Sequence, residues 1–261
     1  SLGQLAAFWR NQFKLPVIGI TGSNGKTTVK EMVAAILRKA TWIKESSVVQ
    51  QNDPVLATEG NLNNDIGVPL MLLRLRQHHQ YAVFEMGMNH IGEIAYLTQL
   101  VKPDVALITN AGNAHIEGLG SIEAVARAKA EIFQGLRHQG TAIINADDTY
   151  ASLWRDYASS YPKIDFGLRQ PAQISATYQM NALTSQMQLK LPDGKVTVHL
   201  QVPGVHNIYN ALAATAATVA LRINKTQIAT GLESFTGVKG RIQKKRGLHN
   251  TLLLDDTYNA N

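Results

Sequence analysis

Five short apolar runs, at 17–21, 81–86, 105–109, 141–145 and 164–166, punctuate the first two thirds of the chain. Each is too short for a helix and nearly unbroken, as expected of a strand buried on both faces. Between them the spacing turns helical. Val29, Met32, Val33, Ile36 and Leu37 fall at i, i+3, i+4, i+7 and i+8 and form one stripe. Helices are also expected over 1–14, with Leu5, Phe8, Trp9 and Phe13 inward, and over 66–75, with Pro69 in the first turn. Others are expected over 93–100, 121–135 (capped by Ser121) and 148–159. Residues 44–64 carry little periodicity. Strands alternating with helices predict a mostly parallel α/β sheet covered on both faces.

The texture changes near 170. Residues 173–202 alternate polar and apolar around the turn Pro192, Asp193, Gly194, Lys195, which predicts a small antiparallel β meander with a hairpin. Helices follow over 207–221, rich in alanine, and 226–231. The basic cluster Lys239, Arg241, Lys244, Lys245 and Arg246 reads as a solvated linker, and 251–255 as a lone strand that opens a further domain. The expected division is one domain over 1–238, with its antiparallel subregion at about 170–203, then a hinge and a first strand over 239–261.

Composition narrows the class. With 261 residues, 45% hydrophobic and 17% charged, the chain can bury a substantial core. It has no cysteine, which excludes disulfides and thiolate metal sites. No apolar run approaches the ~20 residues of a membrane span, and the first residues do not form a signal peptide. A cytoplasmic protein is expected, and the missing initial Met suggests a piece of something longer. The net charge of +6 suits an anionic ligand. The basic cluster contains no aromatic residue, so nucleic acid is not the expected partner.

The most informative stretch is 17–28, VIGITGSNGKTT. An apolar strand runs into a glycine turn, and Lys-Thr opens a helix. This is a P-loop arrangement, in which backbone N–H groups and the helix N-terminus face phosphates. Gly22, Ser23, Asn24, Gly25, Lys26, Thr27 and Thr28 would cradle the phosphates of a nucleoside triphosphate, with Lys26 on the β/γ-phosphates and Thr27 on Mg²⁺. The full pattern needs glycine at position 20, where Ile20 stands. The expected fold is therefore a P-loop NTPase-like sheet with a variant loop.

Three further residues stand out. Glu85 interrupts a strand near its carboxyl end, the edge where open α/β sheets bind ligands. It faces solvent at the edge, caps the turn at 87–92, or serves Mg²⁺. His115 follows a buried strand in a polar loop. Lys129 falls on the inward stripe of its helix, with Ile122, Val125, Ile132 and Phe133, whereas Arg127 and Glu131 read as a surface i, i+4 pair. A lysine facing inward either snorkels to the edge or is held in a site, paired with phosphate or converted to an anion. Asn207 and Asn210 share one face at a helix N-terminus, where they cap the helix or present amides to a base.

Distributed segments carry a resemblance: TGSNGKTTVKEM at 21–32, GNLNNDIGVPLMLLRL at 60–75, FEMGMNHIGEIAYL at 84–97, NAHIEGLGSIEAVARAKAEIF at 113–133, HNIYNALAA at 206–214 and DDTYNAN at 255–261. The chain resembles the Mur ligases of peptidoglycan synthesis, whose loop also lacks the first glycine. The resemblance implies ATP-dependent amide-bond formation through an acyl phosphate. NNDIGVPL and DDTYNAN favour the member that joins D-Ala-D-Ala to UDP-N-acetylmuramoyl-tripeptide. Another Mur ligase, a folylpolyglutamate synthase-like ligase and a non-catalytic nucleotide-binding module are the alternatives.

By that resemblance Glu85 and His115 would hold two Mg²⁺ ions, and Lys129 would be carbamylated by CO₂ into a further ligand. His206, Asn207 and Asn210 would lie on the adenine side, with Arg241 and Asp256 reaching phosphate and ribose. The family has three domains. This chain would be the central one, with the UDP-binding N-terminal domain absent and the third cut short, and is expected to be monomeric and inactive alone.

Overall fold

The computed structural model describes residues 1–42, 53–112, 116–238, 240, 243–246, 251–255 and 257. In chain order the elements are α1 (Leu2–Arg10), β1 (Val17–Thr21), α2 (Lys26–Trp42), β2 (Val55–Ala57), α3 (Gly67–Leu72), β3 (Tyr81–Glu85), α4 (Glu93–Val101), β4 (Val105–Ile108), α5 (Ile116–Leu119) and α6 (Ile122–Ala130). After a 3-10 turn, Glu131–Gly135, come β5 (Thr141–Asn145), α7 (Ala151–Tyr157), β6 (Lys163–Phe166), β7 (Ser175–Met180), β8 (Ser185–Leu191) and β9 (Gly194–Leu200). The last are α8 (Val205–Ala220), α9 (Lys225–Ser234), β10 (Gln243–Arg246) and β11 (Leu252–Asp255).

Six strands form one sheet in the order β2-β3-β1-β4-β5-β6, and every neighbouring pair is parallel. Side chains alternate between its faces. Ile18, Ile20, Val83, Val105, Leu107 and Ile143 turn to the core shared with α2, α8, α9 and the meander. Val17, Ala82, Phe84, Ala106, Ile108, Ala142 and Ile144 turn to the core shared with α1, α3, α4, α6 and α7. The meander β7-β8-β9 is antiparallel and reverses between β8 and β9 across Pro192 and Asp193. The α/β class, the covered parallel sheet and the antiparallel meander are all as expected.

Three expectations need correction. First, α1 does not bury Leu5 and Phe8, which are 56% and 64% exposed. Its buried residues are Gly3, Ala6 and Arg10. A Cβ at Gly3 would lie 2.1 Å from the Tyr96 hydroxyl, so the helix approaches α4 on its small-residue face. The Arg10 guanidinium then donates to the carbonyls of Val101 (2.8 Å) and Lys102 (3.4 Å) at the end of α4. Close approach and carbonyl satisfaction outweigh the apolar stripe. Second, the aperiodic region hides a strand, β2, too short at three residues to show a period.

Third, part of the basic stretch is not linker. Gln243–Arg246 pairs antiparallel with Leu252–Asp255, so the final strand is not alone. An all-polar strand has no hydrophobic alternation to betray it. The divisions at 238 and 239 remain a reading of the sequence.

Among the described residues Trp154 is the bulkiest fully buried side chain, and its indole N–H donates to the Ala126 carbonyl at 3.0 Å, tying α7 to α6. Trp154→Ala should lower the unfolding free energy by about 3–5 kcal/mol. Urea unfolding followed by circular dichroism measures the loss, and a change below about 1 kcal/mol would contradict this packing.

Candidate nucleotide and metal site

Because all six strands are parallel, the exits of β1, β3, β4, β5 and β6 share one edge, and the site is built there. The loop from β1 into α2 is fixed first. Gly22 (φ 150°) has its Cα so close to β4 that a Cβ would sit 1.8 Å from Thr109 Oγ1. Ser23 N donates to the Asn110 carbonyl (3.0 Å) and Asn24 N to Asn110 Oδ1 (2.9 Å). Thr109 Oγ1 donates to the Asn24 carbonyl (2.7 Å), and Gly112 N to Ser23 Oγ (2.9 Å). On the other side, a Cβ at Gly25 (φ 82°) would lie 2.4 Å from Asn210 Oδ1 of α8.

With the loop held, α2 begins at Lys26, and its first turn closes from Val29 N to the Gly25 carbonyl (2.8 Å). The amides of Thr27 and Thr28 precede that bond, so they lack intrahelical acceptors and face outward from the helix end. Lys26 Nζ folds back to the carbonyls of Gly22 (2.7 Å) and Ser23 (3.3 Å). These carbonyls hold the ammonium at the loop's mouth.

Glu85 ends β3 two residues after Val83, so strand alternation directs it to the α2 face, beside Ile20 in register. It is 3% exposed. Thr27 Oγ1 donates to its Oε2 at 2.9 Å, and Asn63 Nδ2 donates to its Oε1 at 3.0 Å. Glu85 therefore neither caps the turn after β3 nor turns to solvent. Glu85 faces the P-loop hydroxyl, and the turn after β3 is served by other groups. Glu93 accepts from Asn89 N and His90 N there.

Lys129 is 1% exposed. Burial, then the charge of Lys26, lowers its pKa from 10.5 to about 7. No carboxylate among the described residues offsets either effect. Glu131, expected on the surface with Arg127, is instead buried. It accepts from Gly92 N (2.9 Å) and Ala95 N (3.1 Å), neutralising the start of α4. Arg127 pairs with Glu123 at 2.8 Å. The reason is the change to 3-10 geometry at 131, which rotates Glu131 off the α6 polar face.

The remaining predicted residues divide. Asn207 and Asn210 are buried and bonded to each other, Asn210 Nδ2 donating to Asn207 Oδ1 at 3.2 Å. Asn207 Nδ2 donates to the Pro203 carbonyl (2.7 Å), and α8 starts two residues earlier than expected, with Gly204 in the capping position. His206 is exposed and lies against Gly204. His115, Arg241 and Asp256 lie outside the described residues.

Several working residues escaped sequence reasoning. Lys30, one helical turn below Thr27, donates to the Thr58 carbonyl at 2.6 Å, and Glu85 N donates to Thr58 Oγ1 at 2.9 Å. The i, i+3 spacing from Thr27 was the available signal for Lys30. Asn110 had one too, as a polar residue directly after a buried strand. Asp147 had none. Partial burial pushes its pKa up, yet N–H donors from Leu168, Gln170 and Arg169 and the Tyr209 hydroxyl bring it below the usual value. It thereby ties the exits of β5 and β6 to α8.

The donors suit a phosphate chain and a hard divalent cation. Thr27 and Glu85 supply oxygen only, and among the described residues no cluster of three or more His, Asp or Glu could cage a metal alone. Mg²⁺ is held in this way, by one or two protein oxygens together with phosphates.

Comparison with known proteins gives a consistent result. The family model described as the Mur ligase middle domain matches residues 20–218. UDP-N-acetylmuramoyl-tripeptide–D-alanyl-D-alanine ligase of Haemophilus influenzae is 43% identical over 263 residues, covering 100% of this chain and 55% of the relative. The Escherichia coli enzyme of the same name is also 43% identical, at 100% and 56%. A crystal structure of MurF from Acinetobacter baumannii superposes with a TM-score of 0.90 at 42% identity, over 100% of this chain and 55% of that one. MurF ligase from Thermotoga maritima, in complex with ADP, gives 0.82 at 28% identity, over 99% and 57%. The chain spans about half the length of the curated relatives it matches.

The Lys129 pKa has a measurable consequence. The unfolded chain holds the extra proton between pH 7 and 10.5, the folded chain does not, so stability rises with pH across that window. The slope from this group is at most about 1.4 kcal/mol per pH unit, and the penalty is complete below pH 7. Lys129→Met should therefore be more stable than wild type at pH 7, by an amount that shrinks at pH 9. Urea unfolding of both proteins in CO₂-free buffer tests this, and a difference independent of pH would refute it.

Proposed function

This chain belongs to the Mur ligase family, and on that premise we propose that it is the ATP-binding part of an amide ligase acting on peptidoglycan precursors. The reaction is the joining of D-Ala-D-Ala to UDP-N-acetylmuramoyl-tripeptide. The peptide carboxylate attacks the γ-phosphorus of ATP, ADP leaves, and an acyl phosphate forms. The D-Ala-D-Ala amine then attacks the acyl carbon, and phosphate departs. The observation that carries this reading is Glu85, buried at the P-loop with one oxygen on Thr27 and the other on Asn63.

The chain's own residues supply position and charge. Gly22, Ser23, Asn24, Gly25 and Thr28 shape the phosphate cradle, and Lys26 neutralises the β/γ-phosphates. Thr27 and Glu85 would hold one Mg²⁺, and His115 with Lys129 a second. When bound, these ions neutralise the triphosphate and the developing negative charge. His206, Asn207 and Asn210 stand on the adenine side, and Arg241 and Asp256 on the phosphate and ribose.

Lys129 reacts with CO₂ as the free amine: the nitrogen lone pair forms a bond to carbon, one proton is released, and a carbamate remains. A pKa near 7 keeps a large neutral fraction available for this, and the product exchanges a buried cation beside Lys26 for an anion. The protein would act in the cytoplasm as a monomer, with a UDP-binding domain before this one and an amine-binding domain after it. Among the described residues no helix is long and apolar enough to cross a membrane.

Phosphate release is the direct test. The full-length protein should release phosphate from ATP only with both UDP-tripeptide and D-Ala-D-Ala present, whereas these 261 residues should bind Mg-ADP and ligate nothing. Turnover with folate plus glutamate would overturn the assignment. For Lys129, protein equilibrated with ¹³C-bicarbonate should show a lysine carbamate resonance in the ¹³C spectrum that Lys129→Arg abolishes. An identical spectrum from the variant would exclude the adduct.

A further inference from the structure

We propose that Asn63 is a positioning residue that sets the orientation of the Glu85 carboxylate and couples it to the exposed loop 59–66. This inference rests on the metal-nucleotide reading above and assigns a task that reading did not include.

The geometry singles out Asn63. Its side-chain amide donates to Glu85 Oε1 at 3.0 Å, while Thr27 donates to Oε2 at 2.9 Å. A carboxylate only accepts, so it is the NH₂ end of Asn63 that faces it. With one donor on each oxygen the carboxylate plane is fixed. Without Asn63, Oε1 loses its side-chain donor, and rotation about the last side-chain torsion becomes cheap because that torsion is intrinsically broad. Metal affinity is sensitive to such outer hydrogen bonds, commonly by tenfold or more.

Asn63 is itself held from outside its own loop. Gly87 N donates to its backbone carbonyl at 2.8 Å, and the side-chain amide lies next to Gly87. A Cβ at Gly87 would come within 3.0 Å of Asn63 Oδ1 and 3.1 Å of its Cγ. A side chain at position 87 would push the Asn63 amide by a few tenths of an ångström, away from its present place against the carboxylate. The start of the same loop is pinned at Thr58, between Lys30 Nζ and Glu85 N. Between these two anchors Glu59, Gly60 and Asn61 are exposed, as are Asn64, Asp65 and Ile66 beyond. Whatever contacts that surface pulls on Asn63, and through it on Glu85.

The test is ADP binding to this chain by calorimetry, once in EDTA and once across a Mg²⁺ titration. Wild type should bind more tightly as Mg²⁺ is added. If it does not, the metal-nucleotide reading fails and the inference with it. Given that behaviour, Asn63→Ala should raise the Mg²⁺ concentration at half-effect by about tenfold, with affinity in EDTA close to wild type.

Gly87→Ala, which displaces the amide without touching Glu85, should shift the Mg²⁺ requirement in the same direction. The double variant should be no worse than Asn63→Ala alone, because both changes act through one contact. Equal losses with and without Mg²⁺, an unchanged Mg²⁺ requirement in Asn63→Ala, or additive effects in the double variant would each overturn the proposal.

Discussion

The turn at 22–25 is gripped from both sides with no room for one added methyl group. Thr109 fills the space beside Gly22, and Asn210 fills the space beside Gly25. Everything at the carboxyl edge of the sheet depends on this grip. It fixes where α2 begins, and thus where the amides of Thr27 and Thr28 and the Thr27 hydroxyl stand. It also welds together three parts of the chain far apart in sequence: the β1 exit, the β4 exit and the start of α8. A helix N-terminus attracts anions in any protein. Here the clamp turns that general tendency into a site of fixed geometry, because the loop cannot relax to satisfy its own amides.

Two buried charges meet at this edge and are treated differently. Glu85 has a donor on each oxygen, so its burial is compensated by hydrogen bonds. Lys129 has the opposite situation, buried and close to a second cation, and its pKa falls to about 7. The contrast has chemical meaning. A carboxylate held by two donors offers its oxygens in a fixed direction, while a lysine that is easily deprotonated becomes a nucleophile. The residues around each charge, and not the charge type, decide which behaviour follows.

Much of this was legible beforehand. The parallel strands show as unbroken apolar runs because both faces are covered, and the P-loop shows because strand, glycine turn and Lys-Thr must be contiguous to work. Lys129 could be placed inward because α6 keeps helical spacing with Val125. Other features were not legible, each for a physical reason. In α1 the apolar stripe of Leu5 and Phe8 gave way to small residues that allow close approach to α4. Glu131 left the polar face when the helix tightened after Ala130. The strand Gln243–Arg246 carries no hydrophobic alternation, so nothing in its sequence marks it as a strand.

By itself, then, the sequence determined the local grammar: the five apolar strands, the main amphipathic helices, and the glycine loop that joins the first strand to its helix. These follow from interactions within a few residues, so they survive without knowledge of the fold. Only the tertiary structure decided which distant groups meet. That Glu85 faces Thr27 depends on the alternation of β3 against β1, that Asn63 completes its coordination depends on a loop from the far side of β3, and that Asn210 seats against Gly25 depends on α8 returning under the sheet. Contacts across 22 to 185 residues of chain have no periodicity to read, because the packing of whole elements sets them, and this site consists almost entirely of such contacts.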